Sequence, residues 1–255
     1  MRLTFAALIL TVSAGLASTD RSADMADWES FLSDSKVSVG VGAVVYRDLY
    51  KGTDTRGEPV PAITAEFGDV FISGRSFGYT FAKTREMQLD AVFKYRGEPF
   101  ETYYSDALEG LDRNSTLEGG LAAKFTTGKY VLGISAFADL LSEHQGYYAD
   151  IYAGRLFRQA NLMVLPKLGL NVYDDNYNRY YYGVLEGEAK AGRQEYSPSG
   201  SVSPYGSVFA QYSLNEKWSV FGSASIQFAD DTVRESPIVG RDYSVSTMMG
   251  VSYSF

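Results

Sequence analysis

At Val37 the chain enters a two-residue rhythm: Val37, Val39, Val41, Ala43 and Val45 alternate with Ser38, Gly40, Gly42 and Val44. The same rhythm returns along the chain. Met87, Leu89, Ala91, Phe93 and Tyr95 alternate with Gln88, Asp90, Val92 and Lys94, and Leu117, Leu121, Ala123 and Phe125 with Thr116, Glu118, Ala122 and Lys124. Tyr130, Leu132, Ile134 and Ala136 oppose Val131, Gly133 and Ser135, and Trp218, Val220, Ala224, Ile226 and Phe228 oppose Ser219, Ser223, Ser225 and Gln227. A helix, with its period of about 3.6 residues, cannot produce this pattern, so the chain is all-β. Segment length narrows the choice further. Sandwich strands run to about 5–6 residues, whereas a tilted strand crossing a bilayer needs about 9–11. These segments belong to the second class, an antiparallel up-and-down transmembrane β-barrel whose apolar face meets lipid. Tyr46, Tyr95, Tyr130, Tyr147, Trp218, Tyr243 and Tyr253 lie near segment ends, as interfacial girdles require. The chain ends "YSVSTMMGVSYSF", still in the rhythm, which makes 243–255 the closing strand.

The pattern predicts strands at 36–46, 70–82, 86–96, 115–126, 129–140, 147–157, 161–172, 203–213, 217–228 and 243–255. Long links at 47–69, 97–114, 141–146, 173–202 and 229–242 then alternate with short turns at 83–85, 127–128, 158–160 and 214–216. Long outer loops and short periplasmic turns are the signature of outer-membrane barrels, and ten strands return both ends of the barrel to the periplasm. "PAITAEFGD" at 61–69 also has strand character. It either extends the second strand through a bulge or forms half of an extra hairpin, which makes the count twelve. Arg75 and Arg155 fall on the predicted lipid face, where a midplane arginine costs about 2–4 kcal/mol.

Ahead of the barrel, "MRLTFAALILTVSAGLAS" carries Arg2, an apolar run and small residues at Gly15 and Ala17, the pattern of a secretory signal peptide. The expected organisation is a signal peptide at 1–17, a flexible periplasmic segment at 18–35 and the barrel at 36–255. In 18–35, Asp24 could cap a short helix with Met25, Trp28, Phe31 and Leu32 on one face. Composition adds 20 Tyr, 15 Phe and 25 Gly but only 7 Pro. The absence of cysteine excludes a disulfide framework and thiolate metal sites. A net charge of -8 argues against a nucleic-acid partner.

Candidate chemistry is sparse. The single histidine, His144, stands beside Glu143 in a predicted outer loop, and Asp106, Glu109, Asp112, Asp174, Asp175, Asp230 and Asp231 lie in other loops. A His–Asp pair at a barrel rim could act as a general base. The plainer reading is a solvated loop histidine among turn-forming carboxylates. No catalytic residue, cofactor site or metal site is therefore assigned. Asp90, Lys94, Glu118, Lys124, Asp150 and Lys167 are expected to face the lumen and pair there, leaving it mostly occluded.

Several segments carry a resemblance. "VGVGAVVYRDLYKGTDTRGEPVPAI" at 39–63, with Tyr50, Gly52, Thr53, Asp54, Pro59 and Pro61, resembles the opening of the MltA-interacting protein (MipA)/OmpV family. "SEHQGY", with His144 and Gly146, is similar to its His-x-Gly turn. "YYYGVLEGEA", with Tyr182, Gly183, Val184, Glu188 and Ala189, and "DDTVRESPIVG", with Ser236 and Pro237, resemble two further family loops. The likeness implies a monomeric barrel in lipid at the cell's outer membrane. It also implies a non-enzymatic scaffold joining a murein hydrolase to a murein synthase in some members, and a surface antigen or adhesin in others. Tyr253 and Phe255 look like the terminal aromatic signal read during barrel insertion. A narrow channel for small solutes is the alternative from a different class. A rim hydrolase is a third, and one histidine without a nucleophile motif weighs against it.

Overall fold

The computed structural model describes residues 37–100, 102 and 105–255. The predicted signal peptide 1–17 and segment 18–35 lie outside the described residues. The strands are β1 (Val37–Arg47), β2 (Arg56–Phe67), β3 (Val70–Ser73), β4 (Ser76–Lys83), β5 (Met87–Arg96), β6 (Thr116–Thr127) and β7 (Tyr130–Asp139). They continue with β8 (Tyr147–Arg155), β9 (Phe157–Gln159), β10 (Leu162–Tyr173), β11 (Ser201–Ser213), β12 (Trp218–Phe228) and β13 (Tyr243–Ser254). Two short helices, α1 (Asp175–Tyr182) and α2 (Asp231–Arg234), occupy the loops after β10 and β12. Each strand pairs antiparallel with its neighbours, and β13 pairs with β1 from Ser38 opposite Ser254 to Arg47 opposite Val245. β8 and β9 meet β10 in one unbroken register, so they form a single strand interrupted at Leu156. The result is a closed barrel of 12 strands.

The count settles the 61–69 question in favour of the extra hairpin. Most of that stretch is the lower half of β2, and the predicted strand 70–82 is the β3–β4 hairpin. Gly68 (φ 65°) and Gly74 (φ 54°) supply the left-handed backbone that two-residue hairpin turns demand. The predicted loop 47–69 accordingly shrinks to 48–55. The other strands lie within a few residues of their predicted bounds. Arg75 sits in the β3–β4 turn with its guanidinium 6.0 Å from the Tyr95 ring. Arg155 lies at the end of β8 between the rings of Tyr130 and Phe157.

The alternation sorts side chains as the pattern requires. Val39, Val41, Val45, Leu121, Leu132, Ile134, Leu168, Val220 and Met249 are exposed on the outside, forming an apolar belt. No helix among the described residues is long and apolar enough to cross a membrane; this chain crosses with strands. Inside, Val44, Tyr46, Ala62, Met163, Phe209, Phe221 and Met248 pack into one buried cluster on the β10–β2 side of the lumen. A Cβ on Gly250 would stand 2.1 Å from Phe221 Cζ, so glycine there makes room for that ring.

Closure extends to the last residue. The Phe255 N–H donates to Val37 O at 3.1 Å, and the Tyr253 ring packs edge-on against both Trp218 and Phe255. The exposed Phe255 side chain contributes little to the finished barrel. Deleting Phe255 is therefore expected to cut the yield of heat-modifiable, folded barrel in the outer membrane several-fold while barely moving its urea midpoint. Equal yields from full-length and truncated chains would count against an assembly role.

Candidate functional site

Loops at the end of the barrel opposite Val37 and Phe255 fold over its mouth as a cap. Tyr50 from the β1–β2 loop, Phe100, Leu108 and Leu111 from the β5–β6 loop, Val184 from the β10–β11 loop and Ile238 from the β12–β13 loop form a core of their own. Tyr182 and Tyr196 pack against it, with Tyr182 stacked 5.8 Å from Tyr50. Three arginines tie the loops by donating to carbonyls and carboxylates. Arg113 grips Glu188 with two bonds of 2.6 and 3.0 Å and also donates to Tyr180 O and Gly183 O. Arg193 reaches Ala107 O (3.0 Å), Glu109 O (2.8 Å) and Glu188 O (2.6 Å). Arg241 reaches Asp48 O (3.0 Å), Tyr50 O (2.9 Å) and Thr53. Paired arginine forks hold such geometry well because the guanidinium is planar and its donors are fixed.

Most residues that carry the family resemblance meet in this cap. The Tyr50 hydroxyl donates to Tyr181 O at 3.1 Å, and buried Thr53 donates to Tyr50 O at 2.9 Å. Gly52 holds φ 75° in that turn. Gly183 closes α1, with its N–H on Arg179 O. Val184 is fully buried, Glu188 carries Arg113, and Ser236 donates to Tyr182 O at 2.6 Å beside Pro237. Asp54 and Ala189 are exposed at the cap's surface. Pro59 and Pro61 stand apart from the cap, on the lipid face of β2. Tyr253 and Phe255 lie at the opposite end of the barrel.

Beneath the cap sits a charged and aromatic cluster. Asp174 caps α1 by accepting from Tyr177 N (2.9 Å) and from Tyr147 N (3.1 Å), which ties the helix to β8. Tyr177 and Tyr181, four residues apart on one helix face, point down into the lumen. They join Phe137, Tyr148 and Tyr173, with Tyr173 and Tyr177 stacked at 4.5 Å. At the centre Arg96 donates to both oxygens of Glu118, at 2.5 and 3.1 Å. Tyr148 donates to Glu118 at 3.2 Å, and His144 Nε2 stands 3.4 Å from the same carboxylate. The Arg96 guanidinium lies over the rings of Tyr148, Tyr177 and Tyr181, while Lys94 Nζ is 3.8 Å from the Phe137 ring centroid. Burial pushes the Tyr177 and Tyr181 hydroxyls well above the ordinary phenol range, so both stay protonated.

His144 is the main departure from expectation. It is 4 % exposed, wedged under α1 against Tyr177 and Tyr181, and not a solvated loop residue. The cause is the tight loop Asp139–Gly146, in which Asp139 accepts from the His144 and Gln145 amides and Gly146 N donates to His144 Nδ1. That last bond engages Nδ1 and turns Nε2 toward the Glu118 carboxylate. The predicted inward charges Asp90, Lys94, Glu118, Asp150 and Lys167 are buried inside the barrel, and Lys124 is half-buried. Among the described residues no group of three or more His, Cys, Asp or Glu side chains could hold a metal ion. Sequence reasoning did not single out Arg96, Arg113, Arg193, Arg241, Tyr148, Tyr177 or Tyr181. The one available signal was the tyrosine-rich run 177–182, whose four-residue spacing suits one helix face.

A closed barrel with an apolar belt, short turns at the terminal end and folded loops at the other is an outer-membrane β-barrel. Within that class, the chain belongs to the MltA-interacting protein MipA family, whose model matches residues 39–255. It is 31% identical over 229 residues to the MltA-interacting protein of Escherichia coli (strain K12), covering 87% of this chain and 91% of that one. The putative outer membrane protein YiaT of the same strain is 27% identical over 225 residues, covering 87% and 92%. OmpV of Vibrio cholerae is 25% identical over 170 residues, covering 66% of each chain. Among solved structures the NanC porin superposes with a TM-score of 0.48 at 8% identity, over 85% of this chain and all of that one, a likeness too loose to bear on function.

Two outcomes follow from the ties. Glu118→Ala strands Arg96 in a buried site and is expected to cost about 3–5 kcal/mol in urea unfolding, whereas Lys190→Ala, which breaks the exposed pair with Glu109, should change stability by under about 1 kcal/mol. Burial pushes the Glu188 carboxyl up, but the bonds from Arg113 and Leu185 N outweigh it and hold it below the usual range. The cap therefore keeps this contribution above the ordinary glutamate value of about 4.3 and loses it as pH falls through the lower, folded one. Hydrogen exchange at 184–200, corrected for intrinsic rate, should quicken on acidification, and Glu188→Gln should flatten that dependence.

Proposed function

We propose that this chain is a non-enzymatic scaffold of the outer membrane, a monomeric barrel that binds other envelope proteins, a murein hydrolase and a murein synthase among them. The observation that carries this reading is the state of the barrel mouth. Loops that share an apolar core and three arginine ties lie over a lumen filled by ionised and aromatic side chains. A barrel built this way spends its interior on rigidity and offers surfaces, not a path. The name of the Escherichia coli relative, MltA-interacting protein, supports a partnership of this kind. The surfaces available on the periplasmic side are the tight turns, Gly68–Asp69 among them. A catalytic role finds no support in His144, whose ring is sealed beneath α1.

A narrow channel is the second reading, favoured by the inner wall of β11–β13, where Ser203, Ser223, Ser225, Ser244 and Ser246 line one side of the lumen. Two measurements separate the readings. Crosslinking in intact cells should enrich a murein hydrolase or synthase over the background captured by an unrelated barrel; no enrichment would remove the scaffold. Purified protein in planar bilayers should show no conductance steps, and steady steps would replace the scaffold with a channel.

A further inference from the structure

The lipid-facing wall of the barrel is hollowed between β8 and β13. A groove of about 820 Å³ runs there from Tyr130 and Arg155, at the periplasmic end, across β10, β11 and β12 to Val245. That volume falls within the about 300–1,000 Å³ of small-molecule sites. Strand register accounts for the hollow. Ala153 stands opposite Leu168, Leu168 opposite Gly206, and Gly206 opposite Ile226, so small and large side chains alternate around the belt at one level. Ala224, beside Ile226 and opposite Val208, adds a further small position. Leu168 is 74 % exposed, which puts this row on the outside of the barrel.

Charge marks one end of the groove. Arg155 is exposed on the same face, held at 5.7 Å from the Tyr130 ring and 4.9 Å from the Phe157 ring. Lys129, in the β6–β7 turn whose carbonyl accepts from Leu156 N, and Arg158, on β9, are exposed at the same rim. None of these three cations makes an ion pair among the described residues. Residues 119–138 and 151–173, which include the turns of this sector, contain no Asp or Glu. The other periplasmic turns each carry an acid, Asp69, Glu86 or Glu216. Aromatic rings hold the Arg155 guanidinium at the membrane boundary but leave its charge unneutralised.

We propose that this groove binds an anionic phospholipid of the periplasmic leaflet, with an acyl chain along Ala153, Gly206 and Ala224 and the phosphate on Arg155. Arginine donors suit phosphate oxygens, and the groove rises from the headgroup level into hydrocarbon. A second barrel is the poorer occupant. Two copies in one membrane share an orientation, so each would bring its own Arg155 to the depth of the other's, and like charges repel across an interface. The inference is independent of the scaffold reading, since a lipid can hold this face whether or not the barrel binds murein enzymes.

The test places the full chain in phosphatidylcholine vesicles with a trace of phosphatidylglycerol that bears a diazirine on one acyl chain, photolysed and mapped by peptide mass spectrometry. Label is expected to concentrate on Ala153, Leu168, Gly206 and Ala224, and Arg155→Gln should lower it about fivefold. Ala224→Trp, which fills the groove and leaves the charge alone, should lower it as well. Lys83→Gln, on another periplasmic turn, should leave it unchanged, and heat-modifiable migration shows that the variants fold. Label spread evenly around the belt, folded Arg155→Gln labelled like the unaltered barrel, or equal concentration of a diazirine-bearing phosphatidylcholine would overturn the proposal. Leu168→Cys, the one thiol in the chain, should give few disulfide-linked pairs in the same vesicles; efficient pairing would make a second barrel the occupant and overturn the proposal too.

Discussion

A bilayer interior offers no water to a peptide group, so each N–H and C=O at that depth must find its partner in the chain or in what the wall encloses. Everything else in this barrel follows from that constraint. It forces the sheet to close, which brings β13 against β1 and makes Phe255 a paired residue at the chain's very end. It sets strand length and alternation, since residues of a closed sheet face either lipid or lumen. On β2 the pairing with β3 covers Thr64–Phe67, and farther along the strand Pro59 and Pro61 offer no N–H that would need a partner.

Closure leaves a second problem, the inside. Half of each strand's side chains turn inward, and here they do not line an open bore. One side of the lumen is packed by Phe209, Phe221, Met163 and Met248; another holds Arg96, Glu118, Lys94 and the tyrosines of α1. Burying the Arg96–Glu118 pair yields little net stability, because desolvation offsets the attraction. Its geometry does fix where α1 can sit, since Tyr177 and Tyr181 pack over the same guanidinium. The cap above is then anchored twice, through α1 to the lumen and through Arg113, Arg193 and Arg241 across the loops.

Several features were legible before any coordinates. The lipid face of β1, the inward charges on β5 and β6 and the closing strand all come from a period of two, which steric alternation imposes locally. The number of strands was only half legible. "AEFGDVFISGRSFGY" can be one bulged strand or two hairpin turns, and the choice depends on which positive-φ glycine turns the chain. His144 looked like a solvated loop residue because its burial depends on α1, a helix that begins 31 residues downstream and folds over it. Tyr50, Thr53, Val184 and Ser236 stood out as a pattern of resemblance, without any indication that they meet.

The sequence by itself determined the class of fold, the faces of its strands and the alternation of short turns with long loops, because each depends on neighbours within a few residues. Only the tertiary structure decided that the long loops form a cap and that Arg96 and Glu118 face each other under it. Those are relations between segments far apart in the chain. They are set by strand register around a closed circumference, and a local pattern carries no record of which residues that circumference brings together.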